Sequence, residues 1–85
     1  MQKLFTLRNK IDRVDQKLQK LLNKRAYLAC KIGKYKRKHG IATIQPERET
    51  EIMHAILCLN KGPLSDQDLI KIYKSILSVC QKIQV

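Results

Sequence analysis

From residue 4 to residue 35, apolar side chains recur at alternating intervals of three and four: Leu4, Leu7, Ile11, Val14, Leu18, Leu21, then Leu28, Ile32 and Tyr35. This is the seam of one long helix with a heptad repeat. One slot departs from it. Between Leu21 and Leu28 the seam carries Arg25. A guanidinium cannot shed its charge, so an arginine in a buried seam needs an anion beside it. Ala29, Gly33 and Lys36 follow on nearly the same face, roughly 40°, 80° and 20° from Arg25 at about 100° per residue. Two cations thus bracket two very small residues, which reads as a pocket for a compact anion. Taken alone, Gly33 and Ala29 signal close helix packing. The cations at both ends are what favour a pocket.

The first helix is predicted from Gln2 to about His39, with Gly40 in the usual place of a left-handed cap. At 1.5 Å per residue it is about 55 Å long. A compact domain of this chain length has a radius of gyration of only about 12 Å. The helix outruns any globule the rest of the chain can make, so its seam needs a second chain. The expectation is an obligate homodimer with the long helices paired.

Residues 40–45 read as a short loop. Pro46 suits the first position of a second helix, and Glu47, Glu49 and Glu51 favour its N-terminal turns. Ile52, Ala55, Ile56 and Leu59 are its expected buried face. Residues 60–63 break the chain, and Ser65 with Asp68 opens a third helix as a capping box. Leu69, Tyr73, Ile76, Cys80 and Ile83 form its stripe, and it runs to Gln84. The expected fold class is all-α: three helices per chain, one of them very long, in a helical homodimer. Residues 1–85 make one domain.

Composition narrows the function. Residues 1–40 hold thirteen lysines or arginines against Asp12 and Asp15, a net of +11, while residues 41–85 hold five charges of each sign. The whole excess therefore lies on the first helix. It is either a solvated lysine-rich face or a surface for nucleic acid or an anionic small molecule. No apolar run is long enough to cross a membrane and no signal peptide is evident, so a cytoplasmic location is the default. Cys30, Cys58 and Cys80 are odd in number and widely spaced, and His39 and His54 add no ligand spacing. Buried free thiols are expected, with no metal and no disulfide.

Other residues could join an anion site. Arg8 lies seventeen residues before Arg25, about 25 Å along the same helix. It cannot share a ligand with Arg25 of its own chain, but in an antiparallel dimer the partner's Arg8 could. Alternatively it is an ordinary surface arginine. Arg48 and Glu49 either pair with charges on the first helix or serve a ligand, Glu49 accepting a hydroxyl proton. Cys80 and Gln84 lie one turn apart on the third helix, simplest as a core thiol and a surface amide.

The ordered set of these segments resembles the all-helical chorismate mutases. It comprises Leu7-Arg8, Ile11-Asp12 and Val14-Asp15, then Lys24-Arg25 and Ala29. The block from Lys31 to Lys36 follows, then Pro46-Glu47-Arg48-Glu49, and Ile72-Tyr73 through Cys80 to Gln84. Each piece is weak and the ordered set, covering about Leu4 to Gln84, is strong. The resemblance implies a cofactor-free Claisen rearrangement of chorismate to prephenate, in phenylalanine and tyrosine biosynthesis. It implies an intertwined homodimer with two sites, each built from both chains. By resemblance, Arg25 and the partner's Arg8 hold the substrate carboxylates. Lys36 and Gln84 serve the ether oxygen, Glu49 binds the ring hydroxyl, and Arg48 supports the electrostatics. Two positions depart from the family. Gln45 replaces a common aspartate before Pro46 and is a poorer N-cap. Cys80 replaces a common serine near a carboxylate and is a weaker donor. Both bear on the strength of substrate binding and not on the identity of the core set, and a substrate contact through the Gln45 backbone survives the change.

Two alternatives remain. An isochorismate pyruvate-lyase shares the Arg, Arg, Lys, Gln arrangement, and Glu49 favours the mutase over it. A basic helical nucleic-acid module accounts for the charge, but it lacks stacking aromatics and a recognised motif and leaves Arg25 unexplained.

Overall fold

The computed structural model describes residues 2–84 as three helices: α1 (Gln2–Lys38), α2 (Pro46–Leu59) and α3 (Asp66–Gln84). Among the described residues there is no strand. The molecule measures 57 × 23 × 16 Å with a radius of gyration of 16.2 Å, well above the figure of about 12 Å for a compact chain of this length. The excess length is α1.

Each helix boundary has a local cause. Gly40 takes φ of 65°, a conformation that costs side chains other than glycine 1–2 kcal/mol. With it, the Ile41 N–H donates to the Lys36 carbonyl at 2.8 Å and the Gly40 N–H to the Arg37 carbonyl at 3.5 Å. That pair of bonds is a Schellman cap, which stops α1 at Lys38 and turns the chain back along it. Pro46 opens α2. The N-cap Gln45 offers its backbone carbonyl to the N–H groups of Arg48 and Glu49, and its side chain makes no capping bond. At α3, the Asp68 N–H donates to Ser65 Oγ at 3.1 Å, the forward arm of the expected capping box. Asn60 organises the preceding loop by donating to the Leu64 carbonyl and to Asp66 Oδ1.

The packing is lopsided. α3 lies against α1 and α2 lies against α3, while the backbones of α1 and α2 do not approach closely among the described residues. Among the described apolar side chains only Ala29 and Cys80 are buried, with the backbone of Gly33 beside them. The α1 seam is open to solvent along its length, Leu21 being 63% exposed. Two expectations need correction. On α2, Ala55 and Leu59 are exposed and Leu59 is 77% so, because one neighbouring helix covers only part of an apolar stripe. On α3, Ile83 is exposed while Gln84 and Gln81 turn inward.

The charge on α1 is ordered as well. Lys3, Lys10, Lys17, Lys24, Lys31 and Lys38 recur at every seventh position, and all are exposed. Five of them immediately precede a seam residue or Arg25, so they line one edge of the seam. Asp12 and Asp15 lie on the opposite side of it.

Candidate active site

α1, α3 and the start of α2 enclose a cavity of about 340 Å³. That volume lies within the range typical of small-molecule sites. Arg25, Ala29 and Lys36 reach it from α1. Gln45, Arg48 and Glu49 reach it from the α2 entry, and Cys80 and Gln84 from α3. Arg8 does not reach it, lying near Leu4 and Phe5 at the far end of α1.

Gly33 does not line the cavity. A Cβ there would stand 2.7 Å from both the Cα and the carbonyl oxygen of Gln84. The glycine therefore admits the backbone of α3 against α1, which is the packing role rather than the pocket role. It costs the helix about 1 kcal/mol relative to alanine, and close approach of Gln84 is the return.

Lys36 is held at two points. Its Nζ donates to the Thr43 carbonyl at 2.8 Å and to Gln84 Oε1 at 2.9 Å. Both acceptors are neutral, and among the described residues no carboxylate pairs with the ammonium. An ammonium has three N–H donors, leaving one for a ligand. With its oxygen engaged by Lys36, the Gln84 amide has its NH₂ group free to donate. Arg37 donates to the Gln84 backbone carbonyl. A cation at that helix end also complements the α3 dipole.

Arg25 is half-buried, and among the described residues it has no carboxylate partner. Among the described residues of its own chain, none supplies the anion its position demands. Arg48 and Glu49 do not pair with α1. Arg48 bonds Glu51 on its own helix at 3.2 Å with both side chains 67% exposed, a geometry that contributes little to stability. The half-buried Glu49 accepts from the Gln81 amide through Oε1.

Cys80 is 6% exposed, Cys30 half-buried and Cys58 exposed, so only one thiol fits the buried expectation. Cys58 lies outward on α2, 3.5 Å from His54 Nε2. Among the described residues no cluster of His, Cys, Asp and Glu could hold a metal ion, and no helix is long and apolar enough to cross a membrane.

Three contributors escape sequence reasoning: Thr43, Gln81 and Arg37. Thr43 acts through a backbone carbonyl, which every residue has. Gln81 and Arg37 read as surface polar residues, and only the docking of α3 gives them partners. The lysine-rich run from Lys34 to Lys38 was the one available signal for Arg37.

The sequence profile described as chorismate mutase type II matches residues 7–85. A bifunctional chorismate mutase/prephenate dehydratase of Aquifex aeolicus is 42% identical over 88 residues, covering 99% of this chain and 24% of the relative. The chain thus spans about a quarter of that protein's length. A chorismate mutase of Methanocaldococcus jannaschii is 36% identical over 78 residues, covering 91% of this chain and 79% of the relative. A solved chorismate mutase structure (Form II) from Thermus thermophilus superposes with a TM-score of 0.95 at 28% identity, covering 96% of this chain and 93% of that one. By sequence and by backbone, this chain belongs to the chorismate mutase type II family.

Proposed function

We propose that the chain converts chorismate to prephenate, with the substrate bound in the cavity among Arg25, Lys36, Glu49 and Gln84. One observation carries the residue assignment. The Lys36–Gln84 hydrogen bond leaves an ammonium N–H and an amide NH₂ group side by side at the cavity, with no carboxylate paired to the lysine among the described residues.

The chemistry suits that inventory. The rearrangement is pericyclic: one C–O bond breaks as one C–C bond forms within a single molecule. No proton is transferred and no cofactor is required. The enolpyruvyl arm must fold over the ring, so catalysis is largely positioning. Charge builds on the ether oxygen as its bond breaks, and fixed donors aimed there lower the barrier. Lys36 and Gln84 take that role. Arg25 binds a carboxylate through its two-pronged fork. Glu49 accepts the ring hydroxyl, and Arg48 supports the field. Gln45 and Cys80 complete the wall near the carboxylates.

The second carboxylate goes to Arg8 of another copy. The α1 seam is exposed from Leu4 to Tyr35, and an apolar stripe of that length is stable only when covered. Antiparallel pairing of two α1 helices covers it. A register that levels Arg25 with the partner's Leu7 would bring the partner's Arg8 to the open side of the cavity. Two sites per homodimer follow.

The test is the loss of chorismate absorbance with prephenate as the product. Turnover that falls steeply in Arg25→Ala and Lys36→Ala, in proteins that remain folded, is expected. Near-parental turnover in either variant, or none in the parent, overturns the assignment. Faster conversion of isochorismate to salicylate would identify a lyase.

A further inference from the structure

The Gln81 amide donates to Glu49 Oε1 across the α2–α3 contact, and no role has yet been given to it. Both side chains are half-buried. Both line the cavity, and both also line the groove on the outer side of α2 and α3. The pair is therefore the wall between cavity and outer surface at this point. We infer that Gln81 is a positioning residue that holds the Glu49 carboxylate in the one orientation able to accept a substrate hydroxyl. This rests on the chorismate reading of the same site.

Glutamate has three rotatable side-chain bonds and loses considerable freedom when it must meet a ligand in one geometry. Gln81 imposes that loss before the ligand arrives, which is preorganisation. The chemical type of the partner also matters. A lysine or arginine here would neutralise the carboxylate, and an arginine would occupy both oxygens in a fork. A neutral amide donates one hydrogen bond to Oε1 and leaves Oε2 open. The carboxylate keeps its charge, and with it the strength of a hydrogen bond from a neutral hydroxyl. It also repels a substrate carboxylate that enters in the wrong orientation. Gln81 thus contributes to which end of a hydroxylated dianion enters this corner.

The experiment compares the parent with Gln81→Leu, Gln81→Glu, Glu49→Ala and the Glu49→Ala/Gln81→Leu double variant, by steady-state kinetics on chorismate. Gln81→Leu should raise KM about fivefold, the scale of one intramolecular hydrogen bond, with kcat little changed. In the Glu49→Ala background the same change should add nothing. Gln81→Glu keeps the shape but faces one carboxylate with another, so its KM should fall toward the parental value as pH drops and the new carboxyl protonates. An unchanged KM in Gln81→Leu overturns the inference, as does an equal loss with Glu49 absent or a pH-independent Gln81→Glu. A parent inactive on chorismate defeats the functional reading and the hydroxyl role together. The Gln81–Glu49 contact is judged separately by a denaturation double-mutant cycle on ligand-free protein: additive losses refute it and coupled losses support it.

Discussion

Lys36 Nζ donates to Gln84 Oε1 at 2.9 Å, and this single bond decides which end of the amide faces the cavity. Two side chains separated by 48 positions in sequence thereby act as one unit. Removing Lys36 releases both donors at once, the ammonium and the amide orientation. Lys36→Ala should lower kcat by about 10²–10³-fold or more, the scale for losing one donor in a preorganised site. Stopped assays of prephenate formation check it, with circular dichroism showing that the helices persist.

Gly33→Ala has two opposed effects. Alanine is the better helix former by about 1 kcal/mol. The new Cβ would stand 2.7 Å from two backbone atoms of Gln84, and backbone cannot step aside as a flexible side chain can. Overpacking of this kind costs typically 1–3 kcal/mol, so the net change should be a loss of stability. Turnover should fall too, because Gln84 is displaced from Lys36. Urea denaturation and kinetics on the same sample read both.

Arg25→Leu repairs the heptad. It should raise the thermal midpoint, since the seam gains an apolar side chain and loses a half-buried cation that has no carboxylate partner among the described residues. It should also abolish turnover. A variant both more stable and inactive would separate the structural demand on this position from the chemical one. Differential scanning calorimetry beside the chorismate assay is the measurement.

Shared sites predict rescue between inactive chains. In a heterodimer of Arg8→Ala and Arg25→Ala chains, one site has both arginines and the other has neither. Equal mixing with random exchange should recover about a quarter of the parental sites. Each variant alone should stay inactive. Refolding the mixture and titrating activity against the mixing ratio tests it.

The lysines at every seventh position of α1 predict an unusual salt response. Antiparallel pairing with Arg25 level with the partner's Leu7 brings Lys17 near the partner's Lys17, and Lys10 near the partner's Lys24. Like charges along one edge of a helical pair repel, and ions screen them over about 10 Å at 0.1 M salt. Moderate salt should therefore tighten the dimer. Sedimentation equilibrium at several ionic strengths measures this, and association that weakens with salt would exclude the register.

Local chemistry was legible in the sequence wherever it acts over one turn. Gly40 marks the end of α1 because a left-handed cap favours glycine, and Pro46 and Ser65 mark helix starts for equally local reasons. The cavity residues on α1 were legible because 3.6-residue spacing places Arg25 and Lys36 on one side. What α3 meets was not. Gln81 and Ile83 differ in polarity in the direction opposite to their burial, and only the tertiary docking of α3 shows it. The apolar stripe of α2 was visible, but periodicity records that a face is apolar and not which helix covers it. Leu59 is the result.

The Schellman cap at Gly40 has a consequence for how this sequence can change. The turn sends the chain back so that the Thr43 carbonyl, seven residues beyond Lys36, meets the ammonium at 2.8 Å, and two residues further on Gln45 begins the turn that presents Arg48 and Glu49. Connecting loops are usually where insertions are tolerated. Residues 41–45 instead act as a spacer of fixed length between two sets of site residues. At Thr43 the site uses backbone, while Gln45 also lines the cavity, so the freedom to vary lies in the remaining side chains of the loop. A single inserted residue would shift Thr43 by up to about 3.5 Å and rotate the entry to α2, moving both sets out of register at once.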